Sequence, residues 1–548
     1  MNSFKPMLLT SLKSYDRTQF ARDVTAGIIV AIIALPLSIA LALASGVGPE
    51  AGIFTAIVAG FVISALGGSC VQIAGPTAAF ATIVAGIVAQ DGLEGLMMAT
   101  ILAGIFLIIM GFCHFGSLIK FIPYTITTGF TSGIAVTIVI GQLKDFCGVT
   151  YPAGVKPIET MEKLKAFTEN LSTLSPDALI VGGVSLAILI VSPMIFKKIP
   201  GSLIAVIVGI LMVQFLPLRV STIGNLYTIS NALPSFHLPV FNLKLIQAAI
   251  PNAFTIAVLA AIESLLSCVV ADGMINSKHR SDTELIAQGA GNIASALFGG
   301  IPATGAIART AANIKNGGRT PIAGMVHSIT LVIVLVVLMP FAGMIPMPTI
   351  AAILFLVAYN MCQWRTFVHL VRTAPKSDIL VLFTTFVLTV VFDLVVAIEI
   401  GMVLACLLFI KRMSEETHAD SWVYVDDDSP AVDEHLQKLP LEIRVYEITG
   451  PLFFGAADAI EHIAVKDFTK CLILRMRSVP AIDSTAMNAL QNLTKLCESK
   501  GITLVFSHVN EQPMKVMKKS GFVELVGEEN FCSNISDALT HAEELISR

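Results

Sequence analysis

The stretch from Gly299 to Thr310 most constrains what this chain can fold into, because it interrupts a long apolar region with residues unsuited to a membrane helix. It reads GGIPATGAIART, so two glycines and a proline precede a short run of small residues that carries Arg309. A second stretch of the same design, GGSCVQIAGPTAAF, lies far upstream at 67–80. Paired short segments broken by glycine and proline in the two halves of a membrane protein indicate a transporter binding site at the interface between repeats.

The composition of the chain indicates a helical protein that crosses the membrane many times. Of its 548 residues, 55% are hydrophobic and only 14% are charged, and the mean hydropathy is +0.80, far above the values of soluble proteins. The formal net charge of −4 argues against nucleic acid as a partner. The nine cysteines are scattered without metal-ligand spacing, so they are expected to be small apolar residues, and no cofactor is predicted.

The apolar runs predict fourteen transmembrane helices in two halves of seven. A polar leader at 1–23 precedes the first half, at about 24–217, and the second half lies at about 252–411. In each half the third helix is short, and it begins at Pro76 in the first half and at Thr304 in the second. An odd number of spans in each half requires that the halves be inverted relative to each other.

The distribution of positive charge indicates which side of the membrane the termini occupy. Fourteen spans place both termini on one side, and with that side inside the cell the tight basic clusters, such as Lys278–Arg280, Lys315–Arg319 and Arg365–Lys376, fall in inner loops. The long outer loops at 145–177 and 218–250 are less uniformly basic. Twelve full spans with two re-entrant loops give nearly the same sidedness and remain the alternative. We expect a multi-pass protein of the inner cell membrane with cytoplasmic termini.

Two helix N-termini inside the membrane predict an anion-binding site. If 68–75 and 299–303 are extended, the short helices begin near mid-membrane, where irregular backbone must line protein or a cavity. Free N–H groups and the helix dipole attract an anion there without a fixed cation. Threonine hydroxyls add donors, small residues open the backbone to the ligand, and Phe80 lines the cavity; close helix packing is the structural alternative for the small residues. The predicted anion-binding residues are Gly75, Pro76, Thr77, Ala78, Phe80, Thr304, Gly305, Ala306, Ile307 and Arg309.

Two charged residues within predicted spans are expected to have functional roles, because a charge in the membrane is costly. Arg309 attracts the anion, pairs with Glu263 or caps backbone carbonyls, and the sequence leaves these possibilities open. Glu263 lies in the middle of its span with Ser267 one helical turn on, on the same face. Glu263, Ser267 and Thr304 suit a Na⁺ site made of oxygen ligands, whereas a buried Glu263 alone suits a proton carrier. A structural ion pair with Arg309 is the alternative, and we favour a role in ion coupling.

The chain changes character after Lys411. Residues 412–439 are polar and include the acidic run Asp426–Asp428, which predicts a linker. From Pro440 onwards, short apolar runs alternate with amphipathic patterns, which predicts a small α/β domain at 440–548. The predicted strands are Leu441–Ile448, Cys471–Met476 and Ile502–Phe506, and the predicted helices lie at about 456–466, 485–499, 511–520 and 535–547.

Several motifs resemble those of the sulfate permease family of anion transporters, and the resemblance covers nearly the whole chain. The similar stretches are Gly75–Ala79, Phe130–Ile134, Ala261–Leu265 with Ala271–Gly273, and Gly299–Arg309, and the C-terminal part resembles the STAS domain, including Ile482–Ala486. The resemblance implies a 7+7 inverted repeat in which a core domain, bearing the third, eighth and tenth spans, moves against a gate domain. It also implies an anion between the third and tenth helix ends, a cation or proton at Glu263 and Ser267, and a homodimer.

One departure from the family pattern bears on the substrate. Many sulfate-transporting members carry Pro-Gln in the first span, whereas this chain has Pro36, Leu37 and Ser38. The motifs Gly75–Phe80 and Ala306–Asn313 most resemble those of bacterial members that handle bicarbonate or C4-dicarboxylates. In related antagonist domains the turn at Asp483 and Ser484 carries a phosphoserine, so Ser484 is expected to be either a regulatory site that serves a cytoplasmic protein partner or the N-cap of the helix near 485–499.

The sequence supports one leading function and two alternatives. The leading hypothesis is a secondary active transporter of a small anion, bicarbonate or a C4-dicarboxylate, coupled to Na⁺ or H⁺. The alternatives are a sulfate transporter, and an anion channel or sensor that signals through the STAS domain. A channel needs no buried acid for coupling, so Glu263 favours the transporter. An enzyme is not expected, because no nucleophile–base constellation is found in the spans or the tail.

Overall fold

The computed structural model describes residues 4–117, 123–152, 155, 157–195, 200–239, 242–392, 394–421, 440, 442–456, 458–461, 463 and 468–547. The chain forms two compact units, Met1–Met402 and Val403–Arg548. The acidic run Asp426–Asp428, predicted to be a linker, lies outside the described residues.

The first unit is helical apart from two very short strands, β1 (Ala74–Gly75) and β2 (Thr304–Gly305). Eight helices among the described residues are long and apolar enough to cross a membrane. The class of multi-pass helical membrane protein is therefore confirmed, while the count of fourteen spans stays a prediction. The helices are α1 (Met7–Ser11), α2 (Arg17–Ala44), α3 (Pro49–Leu66), α4 (Ala78–Phe112), α5 (Tyr124–Cys147), α6 (Thr160–Glu169), α7 (Pro176–Ile195), α8 (Gly201–Phe215), α9 (Ile223–Leu226), α10 (Leu243–Ile275), α11 (Ser281–Leu297), α12 (Ile307–Lys315), α13 (Ile322–Ala342), α14 (Met347–Cys362), α15 (Trp364–Thr373), α16 (Lys376–Val391) and α17 (Leu394–Glu415), which begins in the first unit and ends in the second.

The helices of the first unit pack into two groups, and each half of the chain contributes to both. The core group contains α2, α3 and α4 from the first half with α10, α11, α12 and α13 from the second. The gate group contains α5, α7 and α8 with α14 and α16. This division agrees with the expected core and gate domains.

Small residues bring two helices of the core group into backbone contact. A Cβ atom added at Gly289 of α11 would lie 2.4 Å from the carbonyl oxygen of Gly104 of α4, and one at Gly104 would lie 2.6 Å from the carbonyl oxygen of Gly289. Only glycine allows this approach at both positions, as in other close helix crossings within membranes. Close packing is thus one real use of the small residues in this chain.

Three helices begin elsewhere than predicted. α2 begins at Arg17, inside the predicted leader, because the Asp16 side chain accepts a hydrogen bond from the Gln19 N–H at 2.6 Å and caps the helix. α10 begins within the predicted loop 218–250, where Asn242 caps it, and it continues through Pro251. α12 begins at Ile307 rather than at Thr304, because Thr304 belongs to β2.

Two other features of the first unit refine the prediction. The predicted short helix after Pro76 and the span that follows it are joined in α4. The helical conformation is broken at Gly92, where φ is 71°, a backbone angle that favours glycine. The amphipathic helix α15 occupies a segment that we expected to be an inner loop. Its start is marked by Gln363, which has left-handed backbone angles and ends α14.

The second unit is an α/β domain, as predicted. Its five-stranded sheet has the order β3 (His418–Ser421), β4 (Ile443–Thr449), β5 (Cys471–Ser478), β6 (Thr503–Ser507) and β7 (Phe531–Cys532), and its helices are α18 (Asp458–Glu461), α19 (Ser484–Ser499), α20 (Glu511–Lys519), α21 (Phe522–Val526) and α22 (Ile535–Ser547). β3 is antiparallel to β4, and the other pairs are parallel. β3 lies within the predicted linker, because its pairing with β4 decides its structure more than its own polar sequence does.

The N-cap role considered for Ser484 belongs to its neighbour. The Asp483 side chain accepts a hydrogen bond from the Ala486 N–H at 2.9 Å, and α19 begins at Ser484 itself. The second Asp483 oxygen accepts from the Phe454 N–H at 2.8 Å. An aspartate in extended conformation is a stronger cap than a serine already inside the helix. Ser484 is left exposed in the first turn.

A buried carboxylate ties the start of α2 to the segment between α12 and α13. Asp23 is fully buried. Its Oδ2 accepts from Tyr15 Oη at 3.0 Å and Thr320 Oγ1 at 2.5 Å, and its Oδ1 accepts from Gln19 Nε2 at 2.8 Å and the Arg319 N–H at 2.8 Å. Burial, together with the Asp23 charge, raises the pKa of Tyr15 to about 12. The phenol therefore remains a donor throughout the physiological pH range.

Replacing Asp23 should destabilise the first unit. Asp23→Asn keeps the size of the side chain but offers one acceptor oxygen to donors that now meet two, so buried donors lose partners at a cost of about 2 kcal/mol. We expect a lower midpoint of thermal unfolding for the purified protein, measured by differential scanning fluorimetry. Asp91→Asn, at an exposed carboxylate of α4, is the matched control. Equal midpoints for the two variants would contradict the role of Asp23.

Candidate functional site: two helix N-termini held by a strand pair

Two short strands fix where α4 and α12 begin. β1 pairs with β2 in the antiparallel sense, with Ala74 opposite Gly305 and Gly75 opposite Thr304. The chain enters α4 directly after β1, and it enters α12 directly after β2. Because the strands are antiparallel, the two helices run away from the pair in opposite directions, and their N-termini meet at it. The expectation that 68–75 and 299–303 are extended is met only in part, because bends precede β1 and Gly299 has a φ of 76° in a turn.

The residues of the first half that were predicted to bind the anion lie at the start of α4. Thr77 is extended, with φ −126° and ψ 159°, and its side chain does not cap its own helix. Ala78 and Phe80 behind it are buried, and Phe80 has no exposed surface. The first N–H groups of a helix have no partner within it. The Phe80 N–H donates to the Thr77 carbonyl oxygen at 3.3 Å, so the donors that the N-terminus of α4 offers are those of Ala78 and Ala79.

The start of α12 is more open than that of α4. Ile307 is 41% exposed, and Ala308 is exposed as well. The Ala306 N–H is already used, because it donates to the Ile73 carbonyl oxygen at 2.9 Å. The Thr304 hydroxyl is used too, since it donates to the Ala260 carbonyl oxygen at 3.1 Å and lies 2.6 Å from Ser264 Oγ. Thr304 thus holds β2 against α10 instead of offering a free hydroxyl to an anion.

Adjacent residues of α10 contact the two helix starts. Glu263 Oε2 accepts a hydrogen bond from Thr77 Oγ1 at 2.9 Å, which places the carboxylate at the N-terminus of α4. Ser264 Oγ accepts from the Gly305 N–H at 3.1 Å and holds β2. Glu263 is partly exposed, whereas Ser264 is fully buried. α10 therefore joins the two halves of the site through one acid and one hydroxyl.

The three residues predicted to hold Na⁺ have separate partners. Ser267 Oγ donates to Thr310 Oγ1 at 3.4 Å, while Glu263 bonds to Thr77 and Thr304 bonds to α10. Among the residues that the structure describes, no cluster of three or more histidine, cysteine, aspartate or glutamate side chains is placed to hold a metal ion. A Na⁺ ion near Glu263 would thus have one carboxylate, with hydroxyl and carbonyl oxygens as its other ligands.

Arg309 does not pair with Glu263. Its Nη2 donates to the Pro76 carbonyl oxygen at 3.0 Å, so the guanidinium caps backbone from the opposite half of the site. Its Nη1 is buried and has no hydrogen-bond partner within the described residues, and no ion pair joins it to Glu263 there. Of the three roles left open by the sequence, carbonyl capping is observed, and one cationic donor remains unused.

Arg309 passes close to Gly75 of β1. A Cβ atom added at Gly75 would lie 2.5 Å from Arg309 Nη1, and its next neighbours, in Ala56, would lie 3.6 Å away. A side chain at this position would therefore have to move the guanidinium, and the absence of a Cβ lets the guanidinium reach the segment between β1 and α4.

A buried acid that the sequence analysis missed holds the loop before β1. Glu284 of α11 is fully buried, and its Oε2 accepts from the N–H groups of Gly68 at 2.9 Å and Ser69 at 3.2 Å. Its Oε1 accepts from Gln72 Nε2 at 2.8 Å and Gln288 Nε2 at 2.9 Å. Four donors satisfy the carboxylate, so its role is to position the loop. The sequence feature that could have indicated a buried partner here is Gln72, an amide side chain in an otherwise apolar stretch.

Comparisons with known proteins agree with this geometry. The model of the sulfate permease family matches residues 20–385, and that of the STAS domain matches residues 438–538. The first match contains every anion- and cation-site residue discussed above, and the second contains Ser484. Two families thus account for the two units of the chain.

Three similar proteins illustrate the relationship. The chain is 38% identical to "Putative sulfate transporter YvdB" of Bacillus subtilis over 533 residues, covering 95% of this chain and 97% of that protein. It is 33% identical to the bicarbonate transporter BicA of Picosynechococcus over 488 residues, covering 86% of this chain and 85% of that protein. The murine Solute Carrier 26 family member A9 anion transporter, in its inward-facing state, superimposes with a TM-score of 0.87 at 18% identity over 98% of this chain and 94% of that one, and so shares the fold.

The fold, the two facing helix N-termini and these matches together support one assignment. Family members are transporters rather than enzymes, as the sequence analysis expected. The chain belongs to the sulfate permease family of membrane anion transporters and carries a C-terminal STAS domain.

Proposed function

We propose that this protein is a secondary active transporter of a small anion, with bicarbonate or a C4-dicarboxylate as the favoured substrate, coupled to Na⁺ or H⁺ through Glu263. The observation that carries the proposal is the hydrogen bond from Thr77 Oγ1 to Glu263 Oε2 at 2.9 Å. It places a partly exposed acid beside the N-terminus of α4, where the anion is expected to bind.

This position gives a physical reason for coupling. An ionised Glu263 repels an anion bound at the start of α4, and for charges roughly 5 Å apart at an effective dielectric constant of about 20 the repulsion is about 3 kcal/mol. A proton on Glu263, or a Na⁺ ion beside it, removes that repulsion. The anion and the cation therefore favour each other's binding, which is the thermodynamic requirement for symport.

The substrate proposal draws on the ligand chemistry and on the relatives. Two helix N-termini and one free guanidinium donor suit any small oxyanion. BicA is named as a bicarbonate transporter, and Pro36 is followed here by Leu37 instead of glutamine. The name of the Bacillus relative favours sulfate as the second candidate.

Alternating access is proposed to come from motion of the core group against the gate group. The strand pair, α10 and α12 all belong to the core group, so the anion and the coupling ion would travel with it as one body. An anion channel or a sensor that signals through the STAS domain would not need Glu263 to bind a cation. Dependence of uptake on this carboxylate therefore separates the transporter from those alternatives.

Glu263→Gln should uncouple anion binding from the ion gradient. The amide keeps the contact with Thr77 but neither ionises nor binds Na⁺ strongly, so concentrative uptake should fall to the passive level while anion binding stays measurable. The measurement is uptake of labelled bicarbonate, sulfate and succinate into proteoliposomes under separate Na⁺ and proton gradients. Glu94→Gln, at an exposed acid of α4, is the control and should behave as the unmodified protein. Undiminished concentrative uptake by Glu263→Gln would refute the coupling role.

Arg309→Gln should weaken anion binding. It removes a buried positive charge with an unused donor, and hydrogen bonds to charged groups are worth about 1.5–3 kcal/mol, so the dissociation constant should rise at least about tenfold. Isothermal titration with the transported anion measures the change. Lys315→Gln removes a charge from the exposed end of the same helix and should leave affinity within about twofold by comparison. Equal affinities for the two variants would mean that Arg309 is purely structural.

Gly75→Ala should slow transport with little loss of folded protein. The new methyl group would lie 2.5 Å from Arg309 Nη1 and at least 3.6 Å from its other neighbours, so it displaces the guanidinium from the segment between β1 and α4. Gly86→Ala adds the same methyl group to α4 where no atom lies within 4 Å and should transport normally. Uptake, normalised to the monodisperse protein recovered by size-exclusion chromatography, measures both. Equal uptake by the two variants would show that transport does not depend on the position of the Arg309 guanidinium beside β1.

A further inference from the structure

The helix α15 has one apolar and one cationic face. Its sequence is WRTFVHLVRT, and none of its residues is buried. At 100° per residue, the apolar residues Trp364, Phe367, Val368, Leu370 and Val371 fall on one side. Arg365, His369 and Arg372 follow one another at spacings of four and three and fall on the other side. A short helix of this design suits the boundary between lipid and water.

Contacts with α16 place α15 beside a surface that faces lipid. The ring of Phe367 packs edge-on against Phe383, with centroids 5.7 Å apart. Along α16, Leu380, Phe383, Val387 and Val391 are all at least 40% exposed, and their spacing of three or four residues makes a continuous apolar ridge. In a membrane protein such a ridge meets acyl chains. α15 contacts this ridge through Phe367.

An aromatic pair at the start of α15 indicates the depth of this helix in the membrane. Trp364 Nε1 donates to Tyr359 Oη at 3.2 Å, and the two residues are 46% and 59% exposed. Tryptophan and tyrosine concentrate where the hydrocarbon meets the headgroups. The pair thus places the start of α15 at the membrane surface.

The cationic face has no acidic partner of its own. The sequence from Trp364 to Ser377 contains no acidic residue but includes Arg365, Arg372 and Lys376. Among the described residues these three form no ion pair, and the Arg365 guanidinium lies over the Trp364 ring at 5.6 Å. Three cations held at one level, next to an apolar ridge, are complementary to a layer of negative headgroups.

We propose that α15 lies flat on the membrane surface and binds the headgroups of anionic phospholipids through Arg365, Arg372 and Lys376. Its apolar face enters the boundary of the acyl chains beside α16. Each cation near an anionic membrane surface contributes about fivefold to partitioning. The helix therefore selects anionic over zwitterionic lipid around the gate group.

Quenching of tryptophan fluorescence tests this proposal. The chain has two tryptophans, Trp364 and Trp422, so Trp422→Phe leaves Trp364 as the only reporter. The full-length variant is reconstituted in phosphatidylcholine vesicles with a minor fraction of phosphatidylglycerol. Bromine is carried by the acyl chains of phosphatidylglycerol in one preparation and of an equal amount of phosphatidylcholine in the other. We expect brominated phosphatidylglycerol to quench at least about twice as strongly, as enrichment by several cations requires.

Two further variants establish which side chains select the lipid. In the same background, the triple change Arg365→Gln, Arg372→Gln and Lys376→Gln should make quenching by the two lipids equal without lowering quenching by phosphatidylcholine. The pair Arg219→Gln and Lys244→Gln, at exposed cations elsewhere, should keep the preference. Equal quenching by both lipids in the starting protein would overturn the headgroup selectivity. Absence of quenching by either lipid would mean that protein, such as a second copy of the chain, covers α15, and would overturn the proposal as well.

Discussion

Four backbone positions, Ala74 and Gly75 against Gly305 and Thr304, hold the two halves of the first unit in register. The pairing is short, but it satisfies backbone groups that cannot meet water inside the membrane. It also fixes the point from which α4 and α12 depart in opposite directions. The proposed anion site, the path of Arg309 and the contact between Glu263 and Thr77 all depend on that point.

Some residues around the strand pair position the backbone, and others are expected to bind the ligand. Ser264 and Thr304 hold β2 on α10, and Glu284 holds the loop before β1. These buried groups are satisfied by the protein itself. Within the described residues, Glu263 is only partly buried and makes a single side-chain hydrogen bond, to Thr77, and Arg309 keeps one unused donor. Two charged groups left incompletely paired beside two helix N-termini mark where a ligand is expected to act.

The sequence predicted what depends on local composition. The Gly/Pro-interrupted stretches, the helical membrane class and the α/β tail follow from hydropathy, periodicity and turn residues, and the structure confirms them. Contacts between residues that lie far apart in the sequence were harder to predict. Helical spacing predicted that Ser267 acts together with Glu263, but Ser267 donates a hydrogen bond to Thr310. Thr304 pairs in β2, so α12 begins at Ile307 instead of at Thr304. The sequence did not lead us to predict α15, because its basic residues resemble those of an inner loop. Only the helical spacing of its apolar and basic residues indicates an amphipathic helix.

The central claim is that one anion binds between the N-termini of α4 and α12, next to Glu263. A cryo-EM structure of the full-length protein with saturating substrate and coupling ion tests it most directly. The account predicts density for the anion within hydrogen-bonding distance of backbone N–H groups in the first turn of both helices and of Arg309 Nη1. Density at a different place, or at one helix alone with Arg309 unchanged, would contradict it.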